Sequence, residues 1–143
     1  MLVEQTTLHN FQSWGSRFAP LDQNISVAAP VELFVRRVFT HGAPSAYPPD
    51  RSLVSFPSLM VINWLNSSLD ETMTHAIRES ADSLRAAALK DGQDVKHASV
   101  YPNYALFDTP LEDMYGENVP RLHAIRRAID PEDVMGLAGG FKF

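Results

Sequence analysis

The side chains of this sequence best suited to work on a small molecule are Tyr101, Asn103 and His97. A phenol and a carboxamide can each donate a hydrogen bond to a carbonyl, and an imidazole can take or give a proton near neutral pH. On an extended strand, side chains alternate. His97, Ser99, Tyr101 and Asn103 then share one face, while Ala98, Val100, Pro102 and Tyr104 take the other. Phe34, Phe56, Met60, Trp64 and Phe107 are candidate apolar walls of a substrate pocket, with Tyr104 beside them. Arg36 and Arg37 are adjacent on a predicted strand, so one of them turns inward. A buried arginine needs a partner, which is either a substrate carboxylate or a structural acid such as Glu32 or Asp108. A plainer reading stands beside the first trio: Tyr101 and Asn103 satisfy each other and the backbone, with no chemistry attached.

Other chemistries are poorly served. The chain has no cysteine, which excludes thiol catalysis, sulfur-ligated zinc and a disulfide framework within it. His9, His41, His75, His97 and His123 lack the spacing of a metal site, so no metal is expected. No serine sits in a strand-to-helix elbow. Met60, Met73, Met114 and Met135 read as gap-fillers. Gly139-Gly140 lacks the strand–loop–helix setting of a phosphate loop, so no cofactor-binding residue is expected either. Asn24-Ile25-Ser26 and Asn66-Ser67-Ser68 match glycosylation acceptors, which matter only in a secreted chain.

The elements that must position these groups follow from periodicity. Leu8, Phe11, Trp14 and Phe18 recur at helical spacing over Thr7–Phe18, and Pro20 ends that helix. Val31–Thr40 is rich in β-branched and aromatic residues and reads as a strand, with a helix as the alternative. His41–Arg51, with Gly42, Pro44, Pro48 and Pro49, is a loop. Ser52–Asn66 reads as a strand, with Pro57 at its start or at a bulge. Ser68 and Glu71 form a capping box that opens a helix carrying Met73, Ile77, Leu84 and Ala88, closed by Gly92. Val95–Leu106 reads as a strand. A last helix runs through Glu117–Ile129, with Pro120 in its first turn and Leu122, Ile125 and Ile129 facing inward. The expected fold is α+β, a small and mostly antiparallel sheet with helices packed on one face.

At 143 residues a single domain is expected. The net charge of −5 has the wrong sign for a phosphate-tracking surface, so nucleic acid is not an expected partner. Leu59–Leu65, the longest apolar stretch, is broken by Asn63 and far too short to span a bilayer. Met1–Phe11 has no basic start or long apolar run, so a cytoplasmic protein is expected.

Five pieces then occur in order: Val100-Tyr101-Pro102-Asn103-Tyr104; Met114-Tyr115-Gly116-Glu117-Asn118; Arg121-Leu122; Ile129-Asp130-Pro131-Glu132-Asp133-Val134; and Gly139-Gly140-Phe141-Lys142. Together they resemble the C-terminal signature of berberine-bridge-type FAD-linked oxidoreductases, fungal members in particular. The resemblance covers about the last eighty residues and is faint upstream of Ser52. It implies the fold of the substrate-domain end of such enzymes. Their large flavin-binding domain has no counterpart in this sequence, so the chain is expected to be either a fragment of a larger flavoprotein or, as its Met1 favours, a stand-alone relic.

The leading expectation is therefore a cofactor-free cyclase or isomerase of natural-product biosynthesis, a pericyclase closing a ring by a Diels–Alder [4+2] reaction on an apolar substrate. Such a reaction needs a shaped apolar pocket and a preorganised donor, here Tyr101, Asn103 or His97. The alternatives are a subunit or fragment of an FAD-linked oxidase, and a non-catalytic small-molecule binder. A sheet face left uncovered by a missing domain would become a ligand pocket or a homodimer interface.

Overall fold

The computed structural model describes residues 2–32, 38–39, 41–51 and 58–143. They form an α+β structure of two compact units, Met1–Phe34 with Phe56–His97 and Val35–Ser55 with Ala98–Phe143.

In the first unit, α1 (Leu2–Phe18) begins five residues before the expected start at Thr7 and packs along α2 (Asp70–Lys90). Asn10, Trp14 and Phe18 are buried and recur every four residues, which sets one stripe of α1 against α2. Trp14 stacks on Phe18 with ring centroids 5.3 Å apart. Met60, Ile62, Met73 and Ala76 complete the core around them, and Met73 and Ala76 are wholly buried. Two polar groups are carried into this apolar layer, and both are satisfied. The Trp14 indole N–H donates to Ser80 Oγ at 2.8 Å, and Asn10 Nδ2 donates to Ser83 Oγ at 2.8 Å.

Two short strands cover the end of this helix pair. β1 (Ser26–Ala28) and β2 (Val61–Asn63) are antiparallel, with Ser26 opposite Asn63, Val27 opposite Ile62 and Ala28 opposite Val61. Ile62 is the β2 side chain that enters the core. Of the strand expected over Ser52–Asn66, the described part forms a strand at Val61–Asn63 and a bridge at Ser58; its 52–57 portion, Pro57 included, lies outside the described residues. So does most of the strand expected over Val31–Thr40, of which Val31 makes an isolated bridge to Ser58. Val38 and Phe39 lie in a 3-10 turn.

The start of α2 departs from the expected capping box. Asn66 Oδ1 accepts the Ser68 N–H at 3.0 Å and opens a 3-10 turn, Ser67–Leu69, that runs directly into α2. Leu69 occupies the cap of α2, and no side chain bonds there. An asparagine two residues upstream therefore does what Ser68 was expected to do. Gly92 closes the helix as expected, with φ +80°, its N–H donating to Leu89 O while Gln93 N–H donates to Ala88 O, both at 3.0 Å. This double closure needs a left-handed residue, which glycine adopts without strain.

The described residues of the second unit form helical turns and loops. α3 (Leu111–Tyr115) and α4 (Val119–Ile129) are joined by a 3-10 turn, Gly116–Asn118, and another such turn, Met135–Ala138, follows α4. Pro120 sits in the first turn of α4, as expected. Two expectations fail here. Val95–Leu106 is not a strand: its only regular piece is a 3-10 turn, Pro102–Tyr104, so the alternation of His97, Ser99, Tyr101 and Asn103 on one face does not arise. Pro102 has no N–H to give a ladder, and the Val100 N–H donates to Asp113 O at 2.8 Å instead of to a strand. In α4 the inward face is not that of Ile125 and Ile129, which are exposed. The buried positions are Val119 on α4 and Met114 on α3.

Candidate functional site

A grouping of aromatic and polar side chains lies in the second unit, where a proline loop meets the Pro102–Tyr104 turn. Tyr101 stands between two other rings. Its centroid lies 5.4 Å from Tyr47 and 4.9 Å from Tyr104, the latter edge-on at 90°. Asn103 Nδ2 donates to Tyr101 Oη at 2.8 Å, a bond the tight turn permits by folding residue 103 back over residue 101. Burial pushes the Tyr47 phenol above its ordinary value of 10.0, and the neighbouring Tyr101 phenol adds to the shift. Tyr47 accordingly keeps its proton through and beyond the neutral range.

Loop 45–49 is clasped from three sides. Tyr101 packs on Tyr47, Asn118 Nδ2 donates to Ala46 O at 3.1 Å, and Gly116 lies so close that a Cβ there would approach Pro49 Cβ to 3.3 Å. Gly116 also has φ +52°, a backbone angle that favours glycine, and the space beside Pro49 is tight. Within the loop, Pro48 is buried. The Tyr-x-Asn-Tyr and Tyr-Gly-Glu-Asn pieces of the sequence thus converge on one loop that lies more than fifty residues upstream of either. Tyr47 was missed in the sequence because it sits in a Pro- and Gly-rich stretch. The signal available was an aromatic residue directly before Pro48-Pro49.

Of the expected site residues, the structure brings together Tyr101, Asn103 and Tyr104. Phe107 belongs to the same unit and is 82% exposed. His97, Met60 and Trp64 belong to the first unit. There His97 is exposed in a turn, Met60 is part of the core, and the Trp64 indole N–H donates to Asp70 Oδ1 at 2.6 Å. Phe34, Phe56 and Arg36 lie outside the described residues.

Each unit also carries an open groove. In the first, Trp14, Arg17, Phe18 and Leu21 face Glu71, Thr72, His75 and Glu79 across about 490 Å³, with the Arg17 guanidinium 4.5 Å from the Trp14 ring centre. In the second, a groove of about 570 Å³ runs along Glu112, Gly116, Glu117, Val119, Pro120, His123 and Arg127. Beside it Phe143 lies against Tyr115 and His123, at centroid distances of 5.4 and 6.4 Å. Among the described residues no group of three or more His, Asp or Glu side chains could hold a metal ion, and no helix is long and apolar enough to cross a membrane.

Residues 100–138 match the family described as "Berberine and berberine like". The matched segment lies wholly in the second unit and contains the Pro102–Tyr104 turn, α3, the Gly116–Asn118 turn and α4. The C-terminal segment is thus similar to that family over a shorter stretch than the eighty residues of the sequence resemblance. No curated protein and no solved structure matches the chain.

Proposed function

We propose that the tyrosine cluster of the second unit binds an apolar, unsaturated small molecule and promotes its ring closure, as a cofactor-independent pericyclase does in a [4+2] reaction. The observation that carries this reading is the Tyr101–Asn103 pair held between Tyr47 and Tyr104. Three rings offer flat apolar faces to a conjugated chain, and stacked contacts of that kind favour the folded conformer from which a diene and a dienophile react. The Asn103 carboxamide fixes the Tyr101 oxygen, and the desolvated Tyr47 phenol stays neutral and able to donate. A donor aimed at a carbonyl on the dienophile stabilises the charge that grows there as the ring closes. The bonds balance within the substrate: three π bonds become two new σ bonds and one π bond, with no electron gained or lost.

A second reading is favoured by the family match: the segment 100–138 serves as the substrate-facing end of a flavin-linked oxidoreductase. Product mass separates the two. Incubation of the purified protein with a polyene bearing a tethered dienophile is expected to give an isomer of unchanged mass, in the same yield with and without added FAD. Tyr101→Phe is expected to slow it roughly a hundredfold, the usual size for loss of one preorganised donor. A product lighter by two hydrogens that forms only with FAD establishes the oxidase reading. Absence of turnover under both conditions removes both and leaves a non-catalytic binder.

A further inference from the structure

Of the seven exposed large apolar side chains among the described residues of the second unit, five lie between residues 125 and 137. Ile125 is 48% exposed, Ile129 81%, Val134 58%, Met135 73% and Leu137 88%. The two isoleucines lie one turn apart on α4. The turn behind them is tied to the end of the helix: the Asp130 carboxylate accepts the Val134 and Met135 N–H groups at 2.8 and 2.9 Å, and Arg126 pairs with Asp133 at 3.3 Å. The turn that carries Val134 and Met135 is thus bonded to the end of the helix. Such a concentration of apolar surface marks a contact surface.

Positions 121, 124, 125, 128 and 129 share one helical face, spaced by three and four residues. On it Ala124 and Ala128 are small and exposed, beside the isoleucines. Small residues at the centre of a face let a second helix approach closely. Along this face the charges at the two ends are opposite, while Arg126 and Arg127 of the last turn fall outside its spacing. Arg121 is exposed at the N-terminal end, and Glu132 is exposed just beyond the C-terminal end, next to Asp130.

We propose that α4 and the turn after it form a homodimer face on which a second copy of the chain packs with its α4 antiparallel. A two-fold axis near the middle of α4 makes this surface complementary to itself. It sets Ile125 and Ile129 of each copy over the alanines of the other, and each Arg121 beside the other copy's Asp130 and Glu132. Antiparallel packing also places each helix's positive end against the other's negative end. The homodimer expected on an uncovered sheet face is thereby moved to a helix, since the second unit has no sheet among its described residues.

The test is the mass of the full chain by sedimentation equilibrium across a wide concentration range. The expected result is a reversible shift from the 15.9 kDa monomer to twice that mass. Ile125→Glu with Ile129→Glu is expected to weaken association by more than about a hundredfold while the far-ultraviolet circular dichroism stays unchanged. Arg121→Glu and Glu132→Arg are each expected to weaken it by about fivefold, and the double exchange to restore it. A monomer at every concentration overturns the proposal and leaves the face to a different polypeptide. A dimer indifferent to the isoleucine pair overturns it as well, and a double exchange no better than the single ones overturns the antiparallel register.

Discussion

Tyr101 and Asn103 stood out in the sequence for their chemistry, and the structure gives them a structural task that the sequence also allowed: they bond to each other and brace Tyr47. Their partnership arises from a turn and not from a strand, because Pro102 favours the helical φ that folds Asn103 back. The phenols carry a pH dependence. Burial, chiefly, raises both Tyr47 and Tyr115 above 10.0, so the folded chain keeps protons that the unfolded chain releases first. Stability is therefore expected to hold through neutral pH and to fall as pH rises past about 10. An absorbance titration should show late phenol ionisation, part of which Tyr47→Phe should remove. At the other buried polar contact, Ser80→Ala leaves the Trp14 N–H without its acceptor. The expected loss is about 1–3 kcal/mol in denaturant unfolding.

At the scale of elements, what the sequence revealed was what depends on local periodicity. Trp14 and Phe18 announced α1, Met73 and Ile77 announced α2, Gly92 its end and Pro120 the first turn of α4. What it misread depends on partners far along the chain. Val95–Leu106 has the composition of a strand, but Val100 finds a helix-end carbonyl where a ladder was expected. Ile125 and Ile129 have inward spacing on a helix whose burial is instead decided by Val119. Gly15 shows the same local logic in a substitution. It lies inside α1, where an added Cβ meets nothing within 4 Å, so Gly15→Ala is expected to stabilise by about 0.5–1 kcal/mol. Gly116→Ala should do the reverse, since both φ and Pro49 oppose it, and a loss of about 1–2 kcal/mol is expected from the backbone alone. Thermal melts of the two variants check both signs.

For the whole molecule, the tryptophans and tyrosines divide cleanly. Both tryptophans, Trp14 and Trp64, belong to the first unit, and all four tyrosines, Tyr47, Tyr101, Tyr104 and Tyr115, belong to the second. Tryptophan emission and phenol absorbance therefore report on different units without any label. Each unit has its own buried residues, Met73 in one and Met114 in the other, so the two signals are expected to give non-coincident unfolding curves in denaturant. Superimposable curves would mean that the chain unfolds as one cooperative body.

The interleaving of the two units along the chain also bears on how the protein is made. Ala46 and its bonding partner Asn118 are separated by 72 residues, and the whole second half of the first unit is synthesised between them. At ribosomal speeds of about 5–20 residues per second, loop 45–49 waits for several seconds before Tyr101, Gly116 and Asn118 exist to clasp it. During that interval the helix pair of the first unit already has all of its residues. A nascent chain is thus part finished and part waiting, with Tyr47 and Pro48 open to chaperones, and translation speed between residues 56 and 118 becomes a lever on yield.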